Sequence, residues 1–530
     1  MVLTFRDKAV DTTVYISTLV FIIVMIIFGN YFHPIEELYG PEHDYYVAKA
    51  NHLLAGRLPI NDAIHPLFYP ILAAVVSLVI GDTFAAASIV STLSAGGFVL
   101  LTYLLGRQSF NRTVALFAFL ACLINYHVII EGLHASSDMT AAVLLLLAFF
   151  LLIKAGKNPS PPVIIFMGMA FALAYFTRYT AILFLPTCLL GLLWTKPNRP
   201  IRRRLISLSL FLITLFIFLV PHFYINNRIF GDPFYNENYK NLAMKLTVKG
   251  NWNIINTGKF REDGPIPSPP SLWEWSYLGK NEFSGFTDVV RRYPRTFLIS
   301  GCRDFFRVLY LRLPELGGGG VAGIVFTILF FVGVCRLFYF RRRVGLLYFS
   351  AVFFMISGIS FASVPQARHL LPLLSILYII AASTFLDCPK ISYNRSIIGI
   401  VILVSLIFPM NCKLKKFIEN HPLSELNAAM MLEERFGQEI TVWGTFPFIK
   451  RYVQYKFIYL NDATGDERNN DQAYFRRIEK QFKATGADYL IVGKYTLKHR
   501  PHTLISRMRL PAFLQTFYSN HSVVVYKIDQ

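Results

Sequence analysis

One stretch near the start of the chain collects the residue types that could move a proton beside a phosphate. It reads Gly40-Pro41-Glu42-His43-Asp44-Tyr45-Tyr46 and is followed, further on, by His65-Pro66-Leu67-Phe68-Tyr69-Pro70. A carboxylate such as Asp44 can take the proton from an attacking hydroxyl or amine. Asp138, in His134-Ala135-Ser136-Ser137-Asp138, offers a second acid, and Arg178, in Tyr175-Phe176-Thr177-Arg178-Tyr179, sits between two apolar runs where a plain turn would carry Gly, Asn or Pro. Arg228, Arg368-His369 and His65 add cations of the kind that hold a phosphate and offset its charge as it leaves. Tyr45, Tyr46, Phe68 and Tyr69 suit a sugar face or an isoprenoid chain. Each residue also has a purely structural reading. Asp44 could be a solvated loop acid, Asp138 a helix cap or a charge answering the macrodipole, Arg368 a snorkelling interfacial residue, and His65 the cap of its own helix.

The elements that must position these residues are membrane spans. Of the 530 residues, 54% are apolar and only 16% charged, and mean hydropathy is positive. The apolar residues fall in runs of about 16–22, enough to cross a hydrocarbon core of about 30 Å. The net charge of +20 comes from short basic clusters between those runs. That is the pattern of cytoplasmic loops and not of a nucleic-acid surface. The first run, 14–32, is too long for a signal-peptide core and lacks a small-x-small cleavage site, so it reads as a retained span. The six cysteines are scattered and form no CxxC, which argues against a metal finger or a disulfide framework.

Charge decides the topology. The loop after the first span holds Glu36, Glu37, Glu42, Asp44 and Asp62 against Lys49 and Arg57, so it belongs outside. The run 66–80 is short for a span. If it lies in the interface, Arg107, Arg112, Lys154, Lys157, the 196–204 cluster, Arg341-Arg342-Arg343, Lys390 and Arg395 all fall inside. The spans then run over 14–32, 84–105, 113–132, 138–155, 162–177, 179–194, 205–224, 321–340, 344–361, 368–386 and 396–412. These make about eleven crossings, with the N-terminus cytoplasmic and the tail outside.

The expected fold class is therefore an all-α polytopic membrane domain over 1–412, with a small α/β extracytoplasmic domain over 413–530. The first domain includes an outer loop with its interfacial helix over 33–83 and a large outer loop over 225–320, where 289–313 reads as an amphipathic helix and Gly317–320 as a flexible joint. The tail reads as helix 424–436, strand 439–443, helix 472–485 and strands 488–492 and 523–528. Gly444-Thr445-Phe446-Pro447 lacks the spacing and the Lys-Ser/Thr pair of a phosphate loop.

In this order and sidedness the motifs resemble the GT-C superfamily of membrane glycosyltransferases, and within it the bacterial protein O-mannosyltransferases and the lipid A aminoarabinose transferase. Asp44-Tyr45-Tyr46 resembles the acidic-aromatic motif of the first outer loop, and His65-Pro66-Leu67-Phe68-Tyr69-Pro70 the basic-Pro-aromatic segment that opens an interfacial helix. Ser137-Asp138 resembles the second-loop acid. Phe176-Thr177-Arg178-Tyr179-Thr180 is similar to the Thr-Arg/Lys turn between paired spans, and Arg368-His369-Leu370-Leu371-Pro372 to the late Arg-Tyr-Leu-Leu-Pro pattern. The sequence departs from the family at Ile64-His65, where the aminoarabinose transferase has Glu-Lys, and at His43-Asp44, where the mannosyltransferases show Asp-Glu.

The resemblance implies an inverting hexosyl- or pentosyltransferase in the cell membrane. It would move a sugar from a polyprenyl-phosphate donor to a lipid, glycan or protein acceptor, with Asp44 as base and Asp138 positioning the base or the acceptor. His65, Arg178, Arg228, Arg368 and His369 would hold the phosphate, with Tyr45, Tyr46 and Tyr69 beside the substrate. A divalent metal ion is a candidate cofactor with no ligands assigned. The alternative is a transporter or flippase of lipid-linked sugars. Transporters place charges at mid-membrane and show inverted repeats, whereas these charges cluster at one face and no repeat is visible.

Overall fold

The computed structural model describes residues 5–32, 45–57, 65–194, 200–236, 238–239, 242, 245–246, 285–363, 365–386, 423–444, 454, 456–459, 480, 482–493, 514–519 and 523–528. The chain divides into two compact units. One comprises Met1–Pro34, Tyr45–Leu242 and Gly285–Lys415, the other Ile35–Asp44, Ala243–Ser284 and Lys416–Gln530.

The first unit is a multi-pass helical bundle. Its helices are α1 Phe5–Phe32, α2 Tyr45–Leu54, α3 Phe68–Ile80, α4 Thr83–Ser109, α5 Arg112–Leu123, α6 Tyr126–Leu133, α7 Asp138–Lys157, α8 Pro161–Thr177, α9 Leu185–Trp194 and α10 Ile201–Phe230. After the large loop come α11 Phe286–Arg292, α12 Pro294–Arg307, α13 Leu313–Leu316, α14 Gly320–Phe340, α15 Arg342–Ala362 and α16 Leu371–Leu386. Among the described residues 7 helices are long and apolar enough to cross a membrane, and the bent pair α5–α6 makes up to 8. Shorter apolar helices are Phe68–Ile80, Pro161–Thr177 and Tyr179–Trp194. The expected span 396–412 lies outside the described residues.

Burial sorts these helices by neighbour. On α1, Leu19, Ile23 and Ile27 form an exposed stripe at i, i+4 spacing, a lipid-facing surface. In α16, Leu373, Leu374, Leu377, Ile379 and Ile380 are all fully buried, so this helix is apolar on every side because protein surrounds it. Backbones approach closely where glycine allows it. A Cβ on Gly168 of α8 would lie 2.9 Å from Thr214 Cβ and 3.0 Å from the Phe211 carbonyl oxygen of α10. On Gly333 of α14 it would lie 2.5 Å from the Ile380 carbonyl oxygen of α16.

Three features differ from the sequence reading. The run 113–132, expected as one span, is broken into α5 and α6 with a 54° bend. Asn125 causes the break. Its Oδ1 accepts from the His127 and Val128 amides at 2.8 and 3.4 Å, starting a new helix, while its Nδ2 donates to the Leu316 carbonyl and the Tyr378 hydroxyl. The expected amphipathic helix 289–313 is likewise divided, into α11, α12, a π-turn Val308–Arg312 and α13. The glycine run is a hydrogen-bonded turn, not a loose joint. Gly317, Gly318 and Gly319 amides bond to Leu313, Glu315 and Pro314 carbonyls, and Gly318 to Gly320 have φ of 102°, 79° and 54°, open to glycine without strain.

The 13-residue α3 spans about 20 Å at 1.5 Å per residue, short of the hydrocarbon core. It buries Tyr69, Pro70, Ala73, Ala74 and Ser77 and exposes Val75, Leu78 and Val79.

In the second unit, α17 Leu423–Phe436 packs on a five-stranded mixed sheet of order β2-β1-β3-β5-β4. The strands are β1 Thr441–Gly444, β2 Lys456–Tyr459, β3 Tyr489–Gly493, β4 Leu514–Ser519 and β5 Val523–Ile528. β1 runs parallel to β2 and β3, while β5 runs antiparallel to β3 and β4. Its core joins Ala429, Leu432, Val442, Ile491, Val523 and Val525. Residues 445–453 and most of 472–485 lie outside the described residues, and β2 and β4 were not anticipated from sequence.

Candidate functional site at one end of the bundle

Asp138 is the first residue of α7 and only 4% exposed. The segment before it is held by hydroxyls of α4: Ser88 and Thr92 donate to the Leu133 and Gly132 carbonyls at 2.9 and 2.8 Å, and Ser91 donates to Ser136 at 3.0 Å. These bonds satisfy carbonyls that the end of α6 leaves without helical partners. Ser137 occupies the cap position without a side-chain cap bond; its Oγ instead meets the Tyr46 hydroxyl of α2 at 2.6 Å.

Arg178 ends α8 in an extended conformation, φ −149° and ψ 126°, with its amide bonded to the Ala174 carbonyl. Thr177 Oγ1 donates back to the Leu173 carbonyl at 2.7 Å, a competing bond that favours a helix end. A 3₁₀ turn, Tyr179–Phe184, leads into α9, where Pro186 falls in the first turn and its missing N–H has no cost. The guanidinium of Arg178 thereby reaches the Asp138 carboxylate and forms an ion pair with it. Asp138 also feels the positive charges of Arg368 and His369. These belong to a second 3₁₀ turn, Ala367–Leu370, again followed by a helix with proline at its second position, Pro372. Tyr46 and Glu131 act on the Arg178 charge in turn.

The other anticipated residues divide. The rings of His65 and Tyr69 stand edge-on to Tyr46 at 5.1 and 5.2 Å. Tyr69 is fully buried, and its hydroxyl donates to the Ala87 carbonyl at 2.7 Å and meets Ser91 Oγ at 2.8 Å. It therefore fastens α3 to α4 and backs Tyr46 instead of offering its hydroxyl to a ligand. Arg228 turns to its own helix, with Nε donating to the Tyr224 hydroxyl at 3.1 Å and the guanidinium over that ring. Asp44 lies outside the described residues, as do Glu42, His43 and the side chain of Tyr45, which opens α2. Among the described residues no group of three His, Cys, Asp or Glu is placed to hold a metal ion.

Sequence reasoning passed over three neighbours. Lys49 of α2 is only 1% exposed and donates from Nζ to the His65 carbonyl at 2.6 Å. Its charge acts on His222 of α10, which is 2% exposed and packed among Tyr175, Phe176 and Tyr179 at 5.9, 5.1 and 5.5 Å. Glu131 of α6 lies 3.8 Å from His134 and accepts from Ser136. His222 carried a signal, an ionisable residue within a span next to Pro221. Lys49, one charge in a loop expected to be solvated, carried none.

The opposite end of α7 carries Lys154 and Lys157, about 30 Å away along 20 residues. There Lys157 donates to the Gln108 carbonyl and Arg341 to that of Ser109 at 2.7 Å. Arg107 and Arg112 pair with Asp11 of α1 at 2.7 and 3.3 Å. Among the described residues, Asp138, Arg178, Arg368 and His369 thus sit at one end of the bundle and Arg107, Arg112, Lys154, Lys157 and Arg341 at the other.

This multi-pass bundle with its charged cluster at one end is similar in fold to membrane glycosyltransferases of known structure, and part of the chain matches a mannosyltransferase family, in line with the resemblance expected from the motifs. Residues 64–225, which include His65, Asp138 and Arg178, match the dolichyl-phosphate-mannose-protein mannosyltransferase family. The chain is similar in fold to ArnT from Cupriavidus metallidurans in the apo state, with TM-score 0.54, 12% identity and 98% of each chain covered. It is similar to the same protein bound to undecaprenyl phosphate, with TM-score 0.53, 13% identity and 96% of this chain and 97% of that chain covered. The oligosaccharyltransferase of Archaeoglobus fulgidus in the apo form aligns with TM-score 0.51, 11% identity and 93% of this chain on 71% of that chain. No curated protein sequence matches at a significant level.

Proposed function

We propose that this chain is an inverting membrane glycosyltransferase that moves a hexose or pentose from a polyprenyl-phosphate donor to a lipid, glycan or protein acceptor at the outer face of the cell membrane. The observation that carries this reading is the buried Asp138–Arg178 pair, joined by the charges of Arg368 and His369, at the end of the bundle opposite the basic clusters. The pair lies in the stretch matched by a mannosyltransferase family, in a fold shared with a protein solved with undecaprenyl phosphate bound.

In this reading Asp44 takes the proton of the acceptor hydroxyl or amine as its oxygen or nitrogen attacks the anomeric carbon. The bond from that carbon to the phosphate oxygen breaks, and its electron pair leaves with the polyprenyl phosphate. Arg178 and Arg368, with His369 and His65, offset the charge that develops on the phosphate, and Arg228, which turns to Tyr224 on its own helix, becomes a further phosphate ligand at the end of α10 when the donor binds. Asp138 holds Arg178 in orientation. Tyr46, and Tyr45 beside it, face the sugar, and Tyr69 acts through Tyr46. The gathering of cations at the far end supports a cytoplasmic N-terminus by the positive-inside rule, and the tail is assigned to the extracytoplasmic side.

The test is transfer of a radiolabelled sugar from synthetic polyprenyl-phosphate donors to envelope acceptors by the purified chain. Asp44→Asn is expected to abolish transfer while leaving expression and folding near normal; full activity in that variant would sink the assignment. Movement of the intact lipid-linked sugar across vesicles without cleavage would instead support a flippase.

A further inference from the structure

We infer that the end of the bundle opposite the charged pair holds a binding site for the headgroup of an anionic phospholipid, built on the C-terminus of α4. Two helices converge there. Lys157, from α7, donates to the Gln108 carbonyl, and Arg341, between α14 and α15, donates to the neighbouring Ser109 carbonyl and stacks over Phe110 at 5.2 Å. Tyr348 adds a bond to Ser109 Oγ at 2.8 Å, fixing α15 to the same turn. Cations at a helix C-terminus answer its dipole, and these bonds satisfy carbonyls that α4 leaves open.

The same anchors carry further cations into the open. Lys154 lies one turn before Lys157, and Arg342 and Arg343 follow Arg341. All three are exposed, and among the described residues their side chains make no hydrogen bond or ion pair. Across this end the acid among the described side chains is Asp11, already held by Arg107, Arg112 and the Tyr103 hydroxyl. Among the described side chains the local charge is therefore strongly positive.

The adjoining surface selects the partner class. Tyr339 and Phe340, immediately before Arg341, are 83% and 69% exposed, and Ile328 and Val332 further up α14 are exposed as well. A ligand that meets both the free cations and this apolar flank has a phosphate at one end and acyl chains at the other. A soluble nucleic acid or an acidic peptide would leave the apolar flank unmatched. The aromatic pair at the end of a span is the belt expected at headgroup depth.

The full chain, purified in a neutral detergent, is titrated with phosphatidylglycerol and bound lipid is counted by native mass spectrometry. The wild type is expected to retain phosphatidylglycerol in preference to phosphatidylcholine. The triple variant Lys154→Gln/Arg342→Gln/Arg343→Gln is expected to lose affinity about a hundredfold at low salt, at ~5-fold per cation removed. The charge-conserving Arg342→Lys/Arg343→Lys is expected to recover most of the binding, which separates lost charge from misfolding. Neutralising the exposed Arg202 and Arg203 of α10 instead is expected to leave affinity unchanged. Wild-type affinity in the triple variant would overturn the site. So would an equal loss in the Arg202/Arg203 variant, which would reduce the effect to general charge. Equal competition by inorganic phosphate would show a free-anion site and overturn the lipid assignment.

Discussion

Replacing Arg178 by methionine keeps much of the side-chain volume but removes the guanidinium that pairs with Asp138. The carboxylate is 4% exposed and cannot recover its hydration. Breaking a buried pair from one side costs about 3–5 kcal/mol, and the nearby charges of Arg368 and His369 place the expected loss at the low end, about 3 kcal/mol. Asp138→Asn is milder. The guanidinium is 21% exposed, so it keeps contact with water, and the amide oxygen still accepts a bond; the expected cost is about 1–2 kcal/mol. In the double variant no orphaned charge is left, so its cost should match that of Asp138→Asn alone. The coupling energy is then about 3 kcal/mol, well above the ~0.5 kcal/mol within which independent sites add. Equilibrium unfolding of all four proteins, by titrating an ionic detergent into neutral micelles, measures each term. Additive losses would refute the claim that the two residues form one electrostatic unit, and with it the positioning role given to Asp138.

The other expectations are simpler. Lys49→Met loses the bond to the His65 carbonyl and should cost about 1–2 kcal/mol, with faster limited proteolysis between α2 and α3; an unchanged cleavage rate would remove Lys49 from the support of that loop. Asp11→Asn leaves Arg107 and Arg112 without their carboxylate. Because those arginines are partly exposed, about 1–2 kcal/mol should be lost in detergent unfolding, less at high salt. Gly168→Val drives methyl groups into Thr214 and the Phe211 carbonyl and should cost about 1–3 kcal/mol; a thermal midpoint equal to wild type would show that α8 and α10 do not pack as described.

Period and charge carried the sequence reading well where one residue type decides an element. Asp138 opens a long apolar helix, Arg178 falls between two apolar helices, and the run 66–80 holds only the short helix α3, as length suggested. The reading failed where a side chain acts on backbone geometry or where burial is a tertiary outcome. Asn125 looks like one polar residue in an apolar run, and only its four bonds show why the helix must restart there. Lys49 lies between Ala48 and Ala50 in a loop read from its charge as solvated, yet packing buries it. In the tail, β2 has four residues and β4 is mostly exposed, so neither stands out from loop until its neighbours supply the ladder. Asp44, the residue on which the proposed chemistry turns, rests on the motif and on the resemblance.

Because α7 begins at Asp138 and ends at Lys157, one rigid rod sets the distance between the charged pair and the basic end. A helix of this kind cannot shorten to suit its surroundings. In a bilayer thinner or thicker than about 30 Å, the mismatch must be absorbed by tilt of the whole bundle or by deformation of the lipid. Either response changes the depth at which Arg178 meets the headgroup plane while leaving its pairing with Asp138 untouched. On the proposed function, the reach of the site toward a donor phosphate is thus coupled to membrane thickness through a single helix.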